Sequence, residues 1–238
     1  MHPAAGTAAR TAMWWLAVSA AVSVPFLASL YYFVLATERS SAQFAYGTAK
    51  LFILLWPLVA IHFIDRRHLS HLTLRVLLRK QAVIEGVIVG VILGGGLLLL
   101  LATPLAGILD ARGEAIQRKA DALGIREHYI LFAILLSVFH SFLEEYYWRW
   151  FVYGILRLAT SRVTASLVAA AGFSAHHFVV AIQFFGWSFG VICGFVVFAA
   201  GLLWNAMYER QGTLGGAWVS HILVDAALLA IGYSIVVP

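Results

Sequence analysis

The amino-acid sequence predicts an all-α protein: a polytopic transmembrane helical bundle with about seven membrane-spanning helices, six to eight being the range. Hydrophobic residues make up 62% of the 238 positions and charged residues only 11%, whereas soluble domains are about half apolar and about a quarter charged. The mean hydropathy is +0.89. This composition excludes ordinary soluble, disordered and collagen-like proteins, because those classes lack so much apolar surface.

Seven apolar stretches are long enough to cross the hydrocarbon core, which takes about 20 helical residues. They are Met13–Ala36, Tyr46–Ile64, Ala82–Ile108, Tyr129–Leu156, Val163–Phe185, Ser188–Tyr208 and Leu214–Val237. The first is longer than the apolar region of a cleavable signal peptide, about 7 to 15 residues, so we expect a retained signal anchor and a mature chain that begins near Met1.

The sequence contains no detectable repeat and no linker long enough to separate two domains. We therefore expect a single integral-membrane domain over residues 1–238. Within it, residues 1–128 hold the N-terminal spans and an interfacial segment, and residues 129–238 form the core that carries the chemistry. In the interfacial segment, Asp110–His128, acidic and basic residues alternate with few apolar ones, chiefly Leu123 and Ile125. This mixture predicts an interfacial helix or loop.

The loops predict the orientation, because Lys and Arg are enriched on the cytoplasmic side. The loop Asp65–Gln81 holds five of them: Arg66, Arg67, Arg75, Arg79 and Lys80. We expect this loop and the N-terminus to be cytoplasmic and the C-terminus to be outside. The formal charge of +5 is thus explained by basic loops that orient the protein in the bilayer. We therefore expect no nucleic-acid partner.

Ionisable residues inside the spans are the candidates for function, since each costs roughly 2.5 to 3.5 kcal/mol at the bilayer centre. They cluster in the C-terminal half, on the fourth, fifth and last spans: His140, Glu144, Glu145, Arg149, His176, His177, His221 and Asp225. Cys193 is the one cysteine, so neither a disulfide nor a thiolate zinc cluster can form within one chain.

Helical spacing sorts these residues, because positions four apart share a face and adjacent positions do not. Glu145 and Arg149 are predicted to lie on one stripe and to form an ion pair. Glu144 points toward the face of His140 and has no cation within its own helix. On the last span, Asp225 can reach His221 and fix its tautomer.

Each feature also has a structural explanation. The Glu145–Arg149 pair alone is as well explained as an interhelical staple, and a lone histidine is more often a hydrogen-bonded structural residue. We assign His140 and His176 to that structural class, although His140 could orient Glu144. The complete set is harder to explain in this way, because three helices each bring an acid or a histidine into the same half of a small bundle.

Three motifs occur in order, each on its own span: Glu144-Glu145-x-x-x-Arg149, Phe173-x-x-x-His177 and His221-x-x-x-Asp225. Together they resemble the motifs of the CAAX protease and bacteriocin-processing family (CPBP, also called Abi or Rce1-like), which comprises intramembrane glutamic endopeptidases. The resemblance covers about Tyr129–Val237. It implies hydrolysis of a peptide bond by a glutamate-activated water.

The resemblance also implies roles for individual residues. Glu144 would be the general base, and Glu145 a second acid held by Arg149. His177 would bind and polarise the water, while His221 and Asp225 would form the oxyanion side of the site. Many relatives have Asn at the position of Asp225, and an ionised carboxylate cannot donate to an oxyanion. Asp225 is therefore either protonated or, as we prefer, acts by orienting His221.

Three alternatives stay open. Glu144, His177 and His221 would also suit a zinc ion with an open fourth position, although the chain has no HExxH motif and we expect no cofactor. A proton-coupled transporter would use similar residues as a relay, but transporters commonly show repeated halves. A catalytically silent immunity or scaffold protein would keep the fold without the reaction.

The expected substrate is a membrane-anchored protein or peptide, either lipidated or anchored at its C-terminus. The length and the short loops are typical of a bacterial protein, in which prenylated substrates are not expected. We accordingly expect the protein in the bacterial inner (cytoplasmic) membrane.

Overall fold

A computed structural model describes residues 3–36, 39–63, 78–103, 106–122 and 124–237 of the chain. The described residues are almost entirely helical and contain no strand. Seven of their helical segments are long and apolar enough to cross a membrane: Ala12–Leu35, Ser40–Ile61, Lys80–Ala102, Arg126–Ala159, Arg162–Phe185, Trp187–Gln211 and Gly215–Val236. The predicted all-α polytopic fold and its seven spans are confirmed.

Ten α-helices make up these segments and the connection between the third and fourth spans. Their bounds are α1 Pro3–Leu30, α2 Arg39–Phe63, α3 Lys80–Leu99, α4 Ala106–Ala122, α5 Tyr129–Leu135, α6 Ser141–Glu145, α7 Gly154–Ala159, α8 Arg162–Phe185, α9 Trp187–Gln211 and α10 Gly215–Val236. Wider π-helical turns occur at Tyr31–Leu35, Leu136–His140 and Tyr146–Tyr153. Of the predicted basic loop, Arg66, Arg67 and Arg75 lie outside the described residues, and the orientation stays a prediction.

The third span ends earlier than predicted. After α3, a short 3₁₀ turn closes at Ala102, and Thr103 has extended backbone angles of φ −112° and ψ 164°. The prediction had continued this span to Ile108, but a separate helix, α4, begins at Ala106. The physical reason is local, because Thr103 precedes a proline in the sequence and such residues are biased away from helical angles.

The connection before the fourth span is a helix, one of the two forms predicted for it. Helix α4 buries Ala120 in a small apolar cluster with Tyr129 and Val236. The Gln117 side chain donates a 2.7 Å hydrogen bond to the Ile235 carbonyl at the end of α10. These contacts hold the polar helix against the last span, while the predicted contact Leu123 lies outside the described residues.

The described residues group into two compact units that are interleaved along the chain, and the predicted domain organisation stays a prediction. The first unit holds residues 3–36, 39–63, 146–183 and 188–206. Its interior is aromatic: every side chain from Tyr146 to Tyr153 is buried. The Tyr147 hydroxyl donates to the Ala21 carbonyl at 2.7 Å, which ties the wide turn of the fourth span to α1.

The second unit holds residues 78–103, 106–122, 124–145, 184–187 and 207–237. In it, α3 packs against α10 through a face of glycines four residues apart, Gly86, Gly90 and Gly94. A Cβ atom on Gly90 would lie 2.8 Å from the Leu223 Cβ and 3.1 Å from the Ser220 Cα. The two backbones approach this closely because α3 has no side chains there, and the approach sets the position of the helix that carries His221.

Candidate active site

Two adjacent carboxylates lie on the short helix α6, between the π-helical turns Leu136–His140 and Tyr146–Tyr153. Glu144 is 3% exposed and Glu145 is fully buried. Wide turns of this kind are rare in helices and occur frequently at functional sites. Buried carboxylates require hydrogen-bonding or charged partners, because desolvation without them costs several kcal/mol.

Glu144 shares its face of the helix with His140, as predicted. The Glu144 Oε1 atom lies 3.3 Å from the Nε2 atom of His140. The other carboxylate oxygen, Oε2, lies 3.7 Å from the Nε2 atom of His221 on α10. That distance is too long for a direct hydrogen bond but short enough for one water molecule to contact both groups. The two oxygens of Glu144 therefore face two different imidazoles.

Glu145 is bonded to the same histidine from its opposite edge. Its Oε1 atom lies 2.8 Å from the Nδ1 atom of His221, within hydrogen-bond distance. With Glu145 ionised, this contact places a proton on Nδ1, because a carboxylate only accepts hydrogen bonds. Glu145 thus fixes the tautomer and the orientation of the ring, and Nε2 is directed toward Glu144.

Asp225 lies one helical turn after His221, and its predicted role in orienting the ring stays a prediction. The Asp225 Oδ1 atom is 3.6 Å from Nε2 of His221, which is beyond good hydrogen-bond geometry, and Nδ1 is bonded to Glu145. Glu145 is the carboxylate in contact with Nδ1. Asp225 approaches the same ring atom as Glu144, so Nε2 of His221 has two carboxyl groups within 3.7 Å.

Arg149 belongs to the first unit, where its guanidinium is fully buried between aromatic rings. Its central carbon lies 4.3 Å from the centre of the Phe173 ring and 5.0 Å from that of Trp204. Cation–π contacts of this kind stabilise a guanidinium that has lost its water. The predicted ion pair between Glu145 and Arg149 stays a prediction.

His177 also belongs to the first unit and shares a stripe of α8 with Phe173, as predicted from the spacing. Its Nδ1 atom lies 2.9 Å from the Phe173 carbonyl, and the two rings are 4.7 Å apart. If Nδ1 donates to this carbonyl, Nε2 presents its lone pair on the opposite edge of the ring. His176 stacks on Trp148 at an interplanar angle of 9°, which fits the structural role expected of it.

Two residues that contact Glu144 or the turn before it were not predicted as site residues. His140, which we had assigned a structural role, contacts Glu144, and the four-residue spacing was the signal for that contact. Trp218 donates a 3.0 Å hydrogen bond from its indole to the Val138 carbonyl within the wide turn before Glu144. Sequence spacing carries no signal for Trp218, because the contact joins two different spans.

The donors in the second unit are of the type that binds zinc. A tetrahedral zinc ion with bonds of about 2.0 to 2.1 Å holds its ligand atoms about 3.4 Å apart. The 3.7 Å between Glu144 Oε2 and His221 Nε2 is close to that separation. His177, the third residue of the predicted zinc set, is in the first unit. Glu145 would act as the outer hydrogen-bond partner that orients a ligating histidine.

The region from the fourth to the last span matches a known protein family. Residues 126–227 match the family described as Rce1-like, type II CAAX prenyl endopeptidase. The match covers somewhat less than half of the 238 residues and contains all three motifs. Searches of curated proteins and of solved structures found no significant match.

Proposed function

The chain belongs to the Rce1-like family through residues 126–227, and on that premise we propose that it hydrolyses a peptide bond with a water molecule activated by Glu144. The family is one of CAAX-type membrane proteases, and the seven spans make this chain an integral membrane protein. The proposal adds the mechanism and the class of substrate.

The position of Glu144 carries the proposal. Its carboxylate is buried, with Oε1 beside His140 and Oε2 across a 3.7 Å gap from Nε2 of His221. A water molecule within hydrogen-bond distance of both Oε2 and Nε2 would transfer one proton to Oε2 while its oxygen attacks the scissile carbonyl carbon. The tetrahedral intermediate would then collapse with cleavage of the C–N bond, and the proton held by Glu144 would pass to the leaving amine. General-base catalysis by a positioned group typically contributes 10²- to 10⁴-fold to the rate.

His221 would stabilise the oxygen that becomes negative during the attack. Because Nδ1 is in contact with Glu145, an N–H group at Nε2 would be the donor to that oxygen. One such donor typically contributes about 2.7 to 4 kcal/mol of transition-state stabilisation. The carboxyl groups of Glu144 and Asp225 lie 3.7 Å and 3.6 Å from Nε2, so both are close to a proton on that atom.

The family resemblance adds two further roles. His177 would bind and polarise the attacking water, and Arg149 would balance the charge of Glu145. The Phe173 and Trp204 rings would then hold the Arg149 guanidinium in one orientation. These roles rest on the motif positions, and neither is needed for the geometry described around Glu144.

We propose a membrane-anchored protein or peptide as the substrate and the bacterial cytoplasmic membrane as the location, with the N-terminus in the cytoplasm. A peptide bond close to a lipid or helical anchor would reach carboxylates buried in the spans, whereas a soluble protein would not. The loop that precedes α3 is rich in Lys and Arg. It supports the proposed orientation, because such loops are enriched on the cytoplasmic side.

A zinc-dependent protease using Glu144, His177 and His221 is the second candidate, supported by the donor set around His221. Bound zinc would act as a Lewis acid on the scissile carbonyl and on the water. The glutamate mechanism predicts full activity in the presence of a chelator and no stoichiometric zinc in purified protein. Loss of activity on chelation, with recovery when zinc is added, would establish the second candidate instead.

The proposed function is tested by comparing the protein C-termini in membrane fractions of cells that express the wild type or Glu144→Gln. We expect one or a few C-termini to appear only with the wild type. His128→Gln, an exposed change at the start of the same span, is the matched control and should give the wild-type set. Identical C-termini for the wild type and Glu144→Gln would overturn the proposal.

A further inference from the structure

His140 occupies a position that the motifs do not include. It ends the wide turn Leu136–His140, one helical turn before Glu144. Its Nε2 atom faces Oε1 of Glu144 at 3.3 Å, whereas Oε2 is the oxygen that faces His221. The carboxylate is therefore contacted on one oxygen from its own span and on the other from α10.

The turn that carries His140 is itself held in place. A π-helical turn differs from an α-helix in its hydrogen-bond pattern, and here side chains engage carbonyls within it. The Val138 carbonyl accepts a 3.0 Å hydrogen bond from the Trp218 indole, and the Ser141 hydroxyl donates to the Ser137 carbonyl. Trp218 also packs edge-on against Phe142. Contacts from α10 thus fix the backbone from which His140 projects.

His140 differs from the rest of the cluster in its exposure. Its side chain is 26% exposed, whereas those of Glu144 and His221 are 4% and 5% exposed. An imidazole inside a membrane span needs a hydrogen-bond partner, because lipid does not solvate it. The same contact acts on the more deeply buried group, since it engages one oxygen of the Glu144 carboxylate.

We propose that His140 is a positioning residue for Glu144. Its Nε2–H donates to Oε1 and fixes the rotation of the carboxylate, so that Oε2 is the oxygen presented to the water beside His221. The 3.3 Å separation is at the long end of hydrogen bonds, and such contacts often shorten when substrate is bound. This inference rests on the proposed function, because it assigns a role relative to the base.

Two substitutions separate this role from simple packing. His140→Gln keeps an N–H donor at about the reach of Nε2, whereas His140→Leu fills the space without a donor. The assay uses purified protein in liposomes of phosphatidylethanolamine and phosphatidylglycerol. Its probe is a fluorogenic peptide that spans a Glu144-dependent cleavage site found by the C-terminal comparison.

We expect His140→Leu to lower kcat roughly 10- to 100-fold with KM nearly unchanged, as for other partners that orient a reacting group. His140→Gln should stay within about threefold of the wild type, since the donor is retained. His128→Leu, on the same span but exposed, is the control and should be as active as the wild type.

Should His140→Leu fail to fold, Trp218→Phe provides the second test. It keeps a ring against Phe142 and removes the bond to the Val138 carbonyl, so kcat should again fall while KM is kept. A wild-type kcat for His140→Leu, or for a folded Trp218→Phe when the Leu variant is lost, would overturn the role of His140. If Glu144→Gln also cleaves the peptide, the proposed function itself fails, and the two failures are thereby distinguished.

Discussion

The second unit contains two groups of ionisable side chains that share a chemistry and differ in their surroundings. Along α4, Arg118 and Glu114 form a 3.2 Å ion pair with side chains that are 72% and 89% exposed. On α6 and α10, the side chains of Glu145 and His221 form a 2.8 Å contact and are 0% and 5% exposed. One pair is solvated by water and the other only by protein.

Under the proposed function, the buried pair lies beside the reacting groups, whereas the exposed pair takes no part in the reaction. An exposed ion pair contributes only about 0 to 1 kcal/mol, because water and salt screen it. In the buried pair each group depends on its partner, and the orientation of one ring decides which atoms face Glu144. Substitutions should therefore have large effects on activity in the buried group and almost none along α4.

The largest effect in this comparison is expected from His221→Asn. The Asn amide can replace Nδ1 as the donor to Glu145, so the buried carboxylate keeps its partner, but nothing replaces Nε2. We expect kcat to fall roughly 10²- to 10³-fold, the typical cost of removing one oxyanion donor. Cleavage of the fluorogenic peptide in liposomes measures it, with thermal unfolding as the check on folding. If the folded variant has a kcat within fivefold of the wild-type value, Nε2 of His221 is not the oxyanion donor.

A smaller effect, on stability, is expected where α3 meets α10. Gly90→Leu would force side-chain atoms into Ser220 and Leu223, because even a Cβ atom there approaches them within 3.1 Å. Overpacking of this kind costs typically 1 to 3 kcal/mol, and the strain falls next to His221. We expect both the unfolding temperature in detergent and the peptidase activity to decrease.

Gly95→Leu is the matched control for that change, because a Cβ atom at Gly95 would meet no other part of the described chain within 4 Å. It should alter stability by less than about 0.5 kcal/mol, as surface substitutions usually do. Equal stability of the two variants would show that close packing of α3 on α10 is not what holds the last span.

The smallest effect is expected from Glu114→Gln on α4. The substitution removes the ion pair with Arg118 in a setting where both side chains are mostly exposed. We expect a change in unfolding free energy below about 1 kcal/mol and wild-type cleavage of the peptide. A loss of activity comparable to that of His221→Asn would break the contrast between the two groups.

Much of the fold could be predicted from the sequence because apolar length alone decides which segments cross a bilayer. The end of the third span was missed although the sequence contained a signal, the bias of Thr103 before a proline. The shared face of His140 and Glu144 followed from helical spacing. The wide turns on either side of α6 did not, because they depend on tertiary contacts such as the bond from Trp218 to the Val138 carbonyl.

The partners within the candidate site were only partly predictable. Spacing within one helix favoured Asp225 as the residue that orients His221, since the two are four positions apart. In the structure, Nδ1 is in contact with Glu145, which is 76 positions away in the sequence. Local spacing shows which side chains share a face, but the packing of two helices decides which of them are bonded.

The most direct test of the account compares Glu144→Gln with Glu145→Gln on the same peptide in liposomes, with folding of each variant verified by thermal unfolding. Glu144→Gln should lose at least about 10³-fold in kcat, since an amide cannot accept the proton of water. Glu145→Gln keeps an oxygen acceptor for Nδ1 of His221 and should retain activity roughly 10- to 100-fold below the wild type. Cleavage by Glu144→Gln at or above the rate of Glu145→Gln would contradict the assignment of Glu144 as the base.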